Sequence, residues 1–125
     1  MGNILIVAAG GAIGSVSRYL VGSASLRLFG SGFPVGTMIV NVLGSFLMGV
    51  FIELLAQRFN ASEQLRLLVA TGLLGGFTTF SAFSLDVVAL WERGETAAAL
   101  AYAGISVVAS LLALVGGLAL VRTFA

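Results

Sequence analysis

The chain has no cysteine and no histidine. Their absence removes disulfides, thiol chemistry, haem ligation and most transition-metal sites together. Lysine is missing as well: all six basic residues are arginines, and against five acidic residues they leave a net charge of +1. No basic run remains to form a nucleic-acid surface or a polybasic lipid-binding tail, so nucleic acid is not an expected partner. Charged residues make up only 9% of the 125 positions, where a soluble domain uses about a quarter of its residues to cover its surface. What fills the space is apolar: 59% of the residues are hydrophobic and the mean hydropathy is +1.14. Such a chain is solvated mainly by lipid. Its N-terminus enters apolar sequence without a basic n-region or an A-x-A cleavage site, so it reads as keeping its first helix rather than shedding a signal peptide.

Crossing about 30 Å of hydrocarbon takes about 20 helical residues. Four stretches meet that length, at about 4 to 24, 35 to 57, 65 to 91 and 97 to 121, which makes the chain a single membrane domain over 1 to 125. The first break, RLFGSGFPVG, places Pro34 to open the second helix. The second, QRFNASEQ, offers Ser62 as an N-cap, and the third is ERGE. With four spans both termini lie on one side of the membrane. Arg58, Arg66 and Arg122 then fall on the terminal side and Arg18, Arg27 and Arg93 on the other. That tie leaves the positive-inside rule without a preference. Two readings follow: insertion in both orientations, which permits an antiparallel dimer, or a weak bias set by other factors.

Small residues recur at packing distance, as in Gly10 and Gly14, Ser45 and Gly49, Gly72 and Gly76, with Gly116 and Gly117 near the end. They let helices approach closely in lipid. Four helices alone enclose little interior, so the seventeen glycines point to packing between subunits as well.

Most of the chemistry is concentrated in LLGGFTTFSAFS, residues 73 to 84. Gly75 and Gly76, followed by Thr78, Thr79 and Ser81, form helix poorly and supply hydroxyls for freed backbone groups. One reading is a broken helix whose exposed carbonyls and N–H groups can hold ions. The other is a close-packed glycine seam in an unbroken helix. Phe77, Phe80 and Phe83 share a face. They either pack against lipid and neighbours or turn their positive ring edges toward an anion route. The second helix carries Thr37, Asn41, Ser45 and Gly49 as one polar stripe, and Tyr102, Ser106 and Ser110 do the same on the fourth. A buried Asn41 offers two donors to an anion or, equally, an interhelical hydrogen bond.

Charges within the spans are few, chiefly Arg18, Glu53 and Asp86, each toward an end, where snorkelling or interfacial pairing accommodates them. No ionisable group sits at mid-membrane. Proton-coupled transporters keep one there, so the pattern favours a passive pore. No nucleophile, base and orienting acid occur together, which speaks against an enzyme. GAIGS at 11 to 15 lacks the preceding strand that a dinucleotide loop requires.

Taken together, GGAIGSVSRY (10 to 19), GTMIVNVLGSFLMG (36 to 49), TGLLGGFTTFSAFS (71 to 84), ERG (92 to 94) and YAGISVVASL (102 to 111) resemble the Fluc (CrcB-type) fluoride channels over nearly the whole chain. The second and third stretches are the most specific. The resemblance implies an all-α, four-helix subunit with a broken third helix, paired as an antiparallel, dual-topology homodimer in the bacterial cytoplasmic (inner) membrane. It also implies two fluoride pores, with a structural sodium ion at the dimer centre held by backbone carbonyls matching Gly75 and Thr78. The pore phenylalanines match Phe80 and Phe83, and the pore asparagine matches Asn41. Ser81, Ser84, Tyr102, Ser106 and Ser110 match hydroxyl-bearing positions near the route, and Arg18 matches the basic residue toward the vestibule. Phe77 is left to packing. Two departures stand out: Ala82, where many relatives have threonine, and Asp86, where glutamate is frequent. A rival, the small multidrug exporter, is also a four-helix antiparallel dimer but needs a carboxylate in its first helix, and residues 4 to 24 contain none. A purely structural subunit leaves the coincidence of Asn41, Ser106 and Phe80 unexplained.

Overall fold

The computed structural model describes residues 1–57 and 62–124. Among the described residues all regular structure is helical. It comprises α1 (Gly2–Phe29), α2 (Val35–Gln57), a composite third span (Glu63–Glu92) and α6 (Thr96–Phe124). The third span is assembled from α3 (Glu63–Arg66), a π-helical stretch (Leu67–Leu74), α4 (Gly75–Phe77) and α5 (Phe80–Glu92). All four spans are long and apolar enough to cross a bilayer. Arg58, counted above on the terminal side, lies outside the described residues.

The ends of the helices follow from local chemistry. Helix α1 continues past the expected residue 24 to Phe29, where Gly30 stops it with φ of +76° and returns its N–H to Leu26 O at 2.9 Å. A left-handed backbone suits a residue without Cβ. Ser62 caps α3 by accepting from the Leu65 N–H at 3.2 Å. Gly94, with φ of +82°, turns the chain between α5 and α6. Beside it, one Arg93 Nη donates to Gly32 O at 3.0 Å and approaches Glu95 at 2.9 Å, which ties the two loops at this end together.

Glycines set the packing. Helix α2 lies mainly against α6, and α1 against the π-helical stretch and α4. A Cβ added to Gly117 would sit 2.8 Å from Val50 N, and one added to Gly49 would sit 3.1 Å from Leu118 N. Across the other seam, a Cβ on Gly10 would lie 2.9 Å from Leu73 N and one on Gly14 2.8 Å from Phe77 N. The backbones therefore touch directly, which in lipid supplies the dispersion contact that water-driven burial supplies elsewhere. The α2–α6 seam ends in an ion pair: Glu53 accepts from Arg122 Nε at 3.0 Å and from Gln57 Nε2 at 2.6 Å. Of the accommodations expected for Glu53, pairing is the one the structure uses.

The π-helical stretch is a difference from the plain helix that hydropathy predicts. Its wider turns bring Gly75 N–H to Ala70 O, five residues back, as well as to Gly72 O. Gly72, within it, is buried against Gly10 and Val7. The stretch thus lies where α1 approaches most closely.

Inside, Leu90, Ala99 and Tyr102 form a small core with Phe33, Met38 and Phe83 packed on it. Outside, apolar side chains dominate, with Phe80 77% exposed. Only 11% to 28% of the residues in each span's most apolar window are buried within the single chain. Its remaining surface is suited to lipid or to another copy.

Candidate functional site

Between α4 and α5 the backbone leaves the helix for two residues. Thr78 has φ −88° and ψ 159°, and Thr79 has φ −154° and ψ 123°. Two adjacent glycines followed by two β-branched residues hold a helix poorly, so little propensity is lost there. Every freed backbone group must still find a partner away from water. Thr78 N–H and Thr78 Oγ1 both donate to Leu74 O at 3.0 Å. Thr79 N–H donates to Asn41 Oδ1 at 2.8 Å, and Asn41 Nδ2 donates to Thr79 O at 3.0 Å. Thr79 Oγ1 then accepts from Ala82 N–H at 3.1 Å and caps α5. From α1, Arg18 Nε donates to Gly76 O at 3.1 Å.

These diversions have a specific consequence. In a continuous helix Thr79 N–H would bond to Gly75 O, and Ala82 N–H to Thr78 O. Both donors are used elsewhere. The Gly75 and Thr78 carbonyls are thereby left without their helical donors.

Two cavities flank this segment. One, of about 460 Å³, opens between α1, the loop after it, α2 and α5, with Arg18, Thr37, Asp86 and Arg93 among its lining. The other, of about 400 Å³, is lined by Asn41, Ser45, Thr78, Phe80, Phe83, Ser106 and Ser110. Thr79 lines both. Among the described residues, none that lines the second cavity carries a carboxylate or a basic group. Ser106, 3% exposed, lines it, and its buried Oγ has no hydrogen-bond partner among the described residues. Phe80 and Phe83 stand there with ring centroids 5.6 Å apart and planes at 44°.

The structure thus brings Asn41, Phe80, Phe83, Ser106 and Ser110 to one cavity and Arg18 to the other. Ser81 and Ser84 line neither: Ser81 Oγ lies 3.3 Å from Thr79 Oγ1, and Ser84 Oγ bonds to Phe80 O at 3.0 Å within α5. Tyr102 is fully buried and lines neither cavity. Its OH donates to Asp86 Oδ2 at 3.0 Å, and its ring packs edge-on against Phe33 and tilted against Phe83. Phe77 is buried. Asn41 differs from the expectation of two free donors, because one Nδ2 hydrogen and the carbonyl are committed to Thr79. One donor remains.

Sequence reasoning passed over Thr79 as a site residue. Its signal was present as a β-branched hydroxyl at an N-cap position, but its partner Asn41 lies 38 residues away. Spacing alone does not reveal such a pair.

The sequence profile of the family described as CrcB-like protein, Camphor Resistance (CrcB), matches residues 5–118. Similar proteins include the fluoride-specific ion channel FluC of Rhizobium etli (strain CIAT 652), 60% identical over 96% of each chain. The protein of that name from Agrobacterium fabrum (strain C58 / ATCC 33970) is 58% identical, again over 96% of each. Its counterpart in Cereibacter sphaeroides (strain ATCC 17029 / ATH 2.4.9) is 57% identical over 96% of this chain and 94% of its own. With four apolar helices, an extended Thr78–Thr79 segment and a profile match over most of its length, the chain belongs to the CrcB-like protein family.

Proposed function

We propose that this chain is a passive, fluoride-selective ion channel that lets fluoride leave the cytoplasm. The observation that carries the reading is the second cavity: one Asn41 donor, an unpartnered Ser106 hydroxyl, Ser110 and two phenylalanines, with no full charge. Fluoride is small and tightly hydrated. A selective passage replaces its water donors with protein donors without holding the ion too firmly. Neutral N–H and O–H groups and positive ring edges do this, whereas a buried arginine would trap the anion. A negative-inside potential, worth about 2.3 kcal/mol per charge per 100 mV, then drives fluoride outward without fuel. The names of the relatives support the same ion. A proton-coupled multidrug exporter has no support, because α1 contains no Asp or Glu.

In this reading two copies assemble antiparallel in the bacterial cytoplasmic membrane, and the third span of each acts as a broken helix at the centre. The arginine tie and the bare apolar surface of the single chain favour the pairing. Phe80, 77% exposed here, becomes a pore residue only when a second copy covers it. Asn41, Phe83, Ser106 and Ser110 line the route. Tyr102 supports it from behind, Ser81 and Ser84 lie along its flank, and Arg18 faces the vestibule.

A sodium ion fits the carbonyls of Gly75 and Thr78. Both have lost their helical donors, and neutral carbonyl oxygens are the donor type that unwound membrane helices give to Na⁺. Two such oxygens from one chain are too few to replace a hydration shell, so equivalent oxygens from a second copy complete the set. The ion supplies fixed positive charge that joins the two copies. The direct test is fluoride release from liposomes carrying the purified protein, followed with a fluoride electrode. Release must exceed that from empty liposomes.

A further inference from the structure

Arg18 sits half-buried on α1 between a backbone carbonyl and a cavity. Its Nε donates to Gly76 O at 3.1 Å, while the side chain also lines the cavity of about 460 Å³. In an unbroken helix Gly76 O would accept from Phe80 N–H. That donor is lost because Thr79 is extended and α5 starts afresh at Phe80. The Gly76 carbonyl, in α4 and partly buried in a membrane span, thus has a side chain from another helix as its substitute partner. An orphaned carbonyl here would cost more than in water, and the segment would relax to recover it.

We propose that Arg18 is a positioning residue, whose Nε fixes the Gly76 carbonyl and so holds the Thr78–Thr79 break in the register that lets Asn41 clasp Thr79. This rests on the channel reading above and assigns the break a second anchor. Asn41 grips it from α2 on the side of the pore cavity, and Arg18 grips it from α1 on the vestibule side. Both cavities share Thr79, so a shift at Gly76 reaches the pore directly. Arginine suits the task for a structural reason. Its Nε can be spent on the carbonyl while both terminal nitrogens remain for the vestibule. Lysine has one ammonium, which serves one place or the other.

A charge that merely concentrates anions behaves differently, and Arg18→Lys separates the two roles. The lysine variant keeps the charge but loses the fixed planar Nε. Conductance is measured against fluoride concentration for wild type, Arg18→Lys and Arg18→Gln. Hydrogen exchange is measured over residues 77 to 84 of each purified protein. A positioning role predicts that Arg18→Lys lowers maximal conductance about tenfold, leaves the half-saturating concentration unchanged and speeds exchange in that segment. Wild-type conductance and exchange in Arg18→Lys, with a raised half-saturation in Arg18→Gln, would overturn the proposal and leave only a charge effect. If the lysine variant is not recovered folded, exchange in Arg18→Gln decides: faster exchange supports positioning and unchanged exchange refutes it. A wild-type protein that passes no fluoride would instead remove the channel reading, and the exchange comparison would still settle Arg18.

Discussion

Asn41 and Thr79 are joined twice, with Thr79 N–H donating to Asn41 Oδ1 at 2.8 Å and Asn41 Nδ2 donating to Thr79 O at 3.0 Å. One amide side chain thus replaces the backbone partners that Thr79 loses by leaving the helix. The same residue lines the second cavity. In the proposed channel, structure and conduction meet there.

Asn41→Asp breaks this arrangement in a defined way. The carboxylate can still accept from Thr79 N–H, but it cannot donate to Thr79 O, and it sets a negative charge beside the route of an anion. Losing one such bond costs about 1 to 3 kcal/mol, or roughly five- to 140-fold. Fluoride flux in liposomes is expected to fall at least tenfold, while Asn41→Ser, which is neutral, retains more. Equal flux in Asn41→Asp and wild type would refute the pore assignment.

Ser106→Ala separates stability from conduction. The Ser106 hydroxyl is buried and unpartnered, and removing such a group relieves a penalty of about 1 to 3 kcal/mol. The variant is therefore expected to melt at or above the wild-type temperature while conducting less fluoride. A fall in both would show that the hydroxyl serves the fold instead.

The α2–α6 seam tolerates no side chain at Gly117, where a Cβ would lie 2.8 Å from Val50 N and in contact with Phe46 O. Gly117→Val forces the backbones apart at one of the direct backbone contacts of the pair. The expected cost is about 1 to 3 kcal/mol or more, seen as a lowered melting temperature in detergent. Gly116→Val is the control, because nothing lies within 4 Å of a Cβ there. It is expected to melt as wild type.

How far the sequence reveals this molecule depends on how local each feature is. The four spans are legible because hydropathy and length act over twenty residues at a time, and Ser62 and Pro34 mark two helix starts by their own chemistry. Gly10 and Gly14 announce a seam by spacing. The π-helical stretch Leu67–Leu74 is invisible, since LLVATGLL reads as any apolar helix and its wide turns accompany contact with Gly10 on another segment. The Asn41–Thr79 clasp and the Arg18–Gly76 bond were hidden for the same reason: each joins residues far apart in the chain. Arg18 reads as an interfacial charge, and by resemblance as a vestibule residue, because a sequence shows its charge and not the carbonyl it meets. The end of α1 extended to Phe29 because Gly30 rather than a polar run terminates it.

Antiparallel pairing makes a prediction about topology. A single cysteine introduced at Glu95, in the exposed loop between α5 and α6, is expected to be labelled only in part by an impermeant thiol reagent in intact cells, and in the remainder once the membrane is permeabilised. The chain has no native cysteine to interfere. Labelling from one side alone would refute insertion in both orientations.

The central claim is passive conduction selective for fluoride. It is tested most directly by the reversal potential of purified protein in a planar bilayer, with fluoride on one side and chloride on the other. A passive fluoride channel holds the current at zero only at a potential far toward the fluoride equilibrium value, with no dependence on a proton gradient. A reversal potential near zero, or one that follows the proton gradient, would contradict the account.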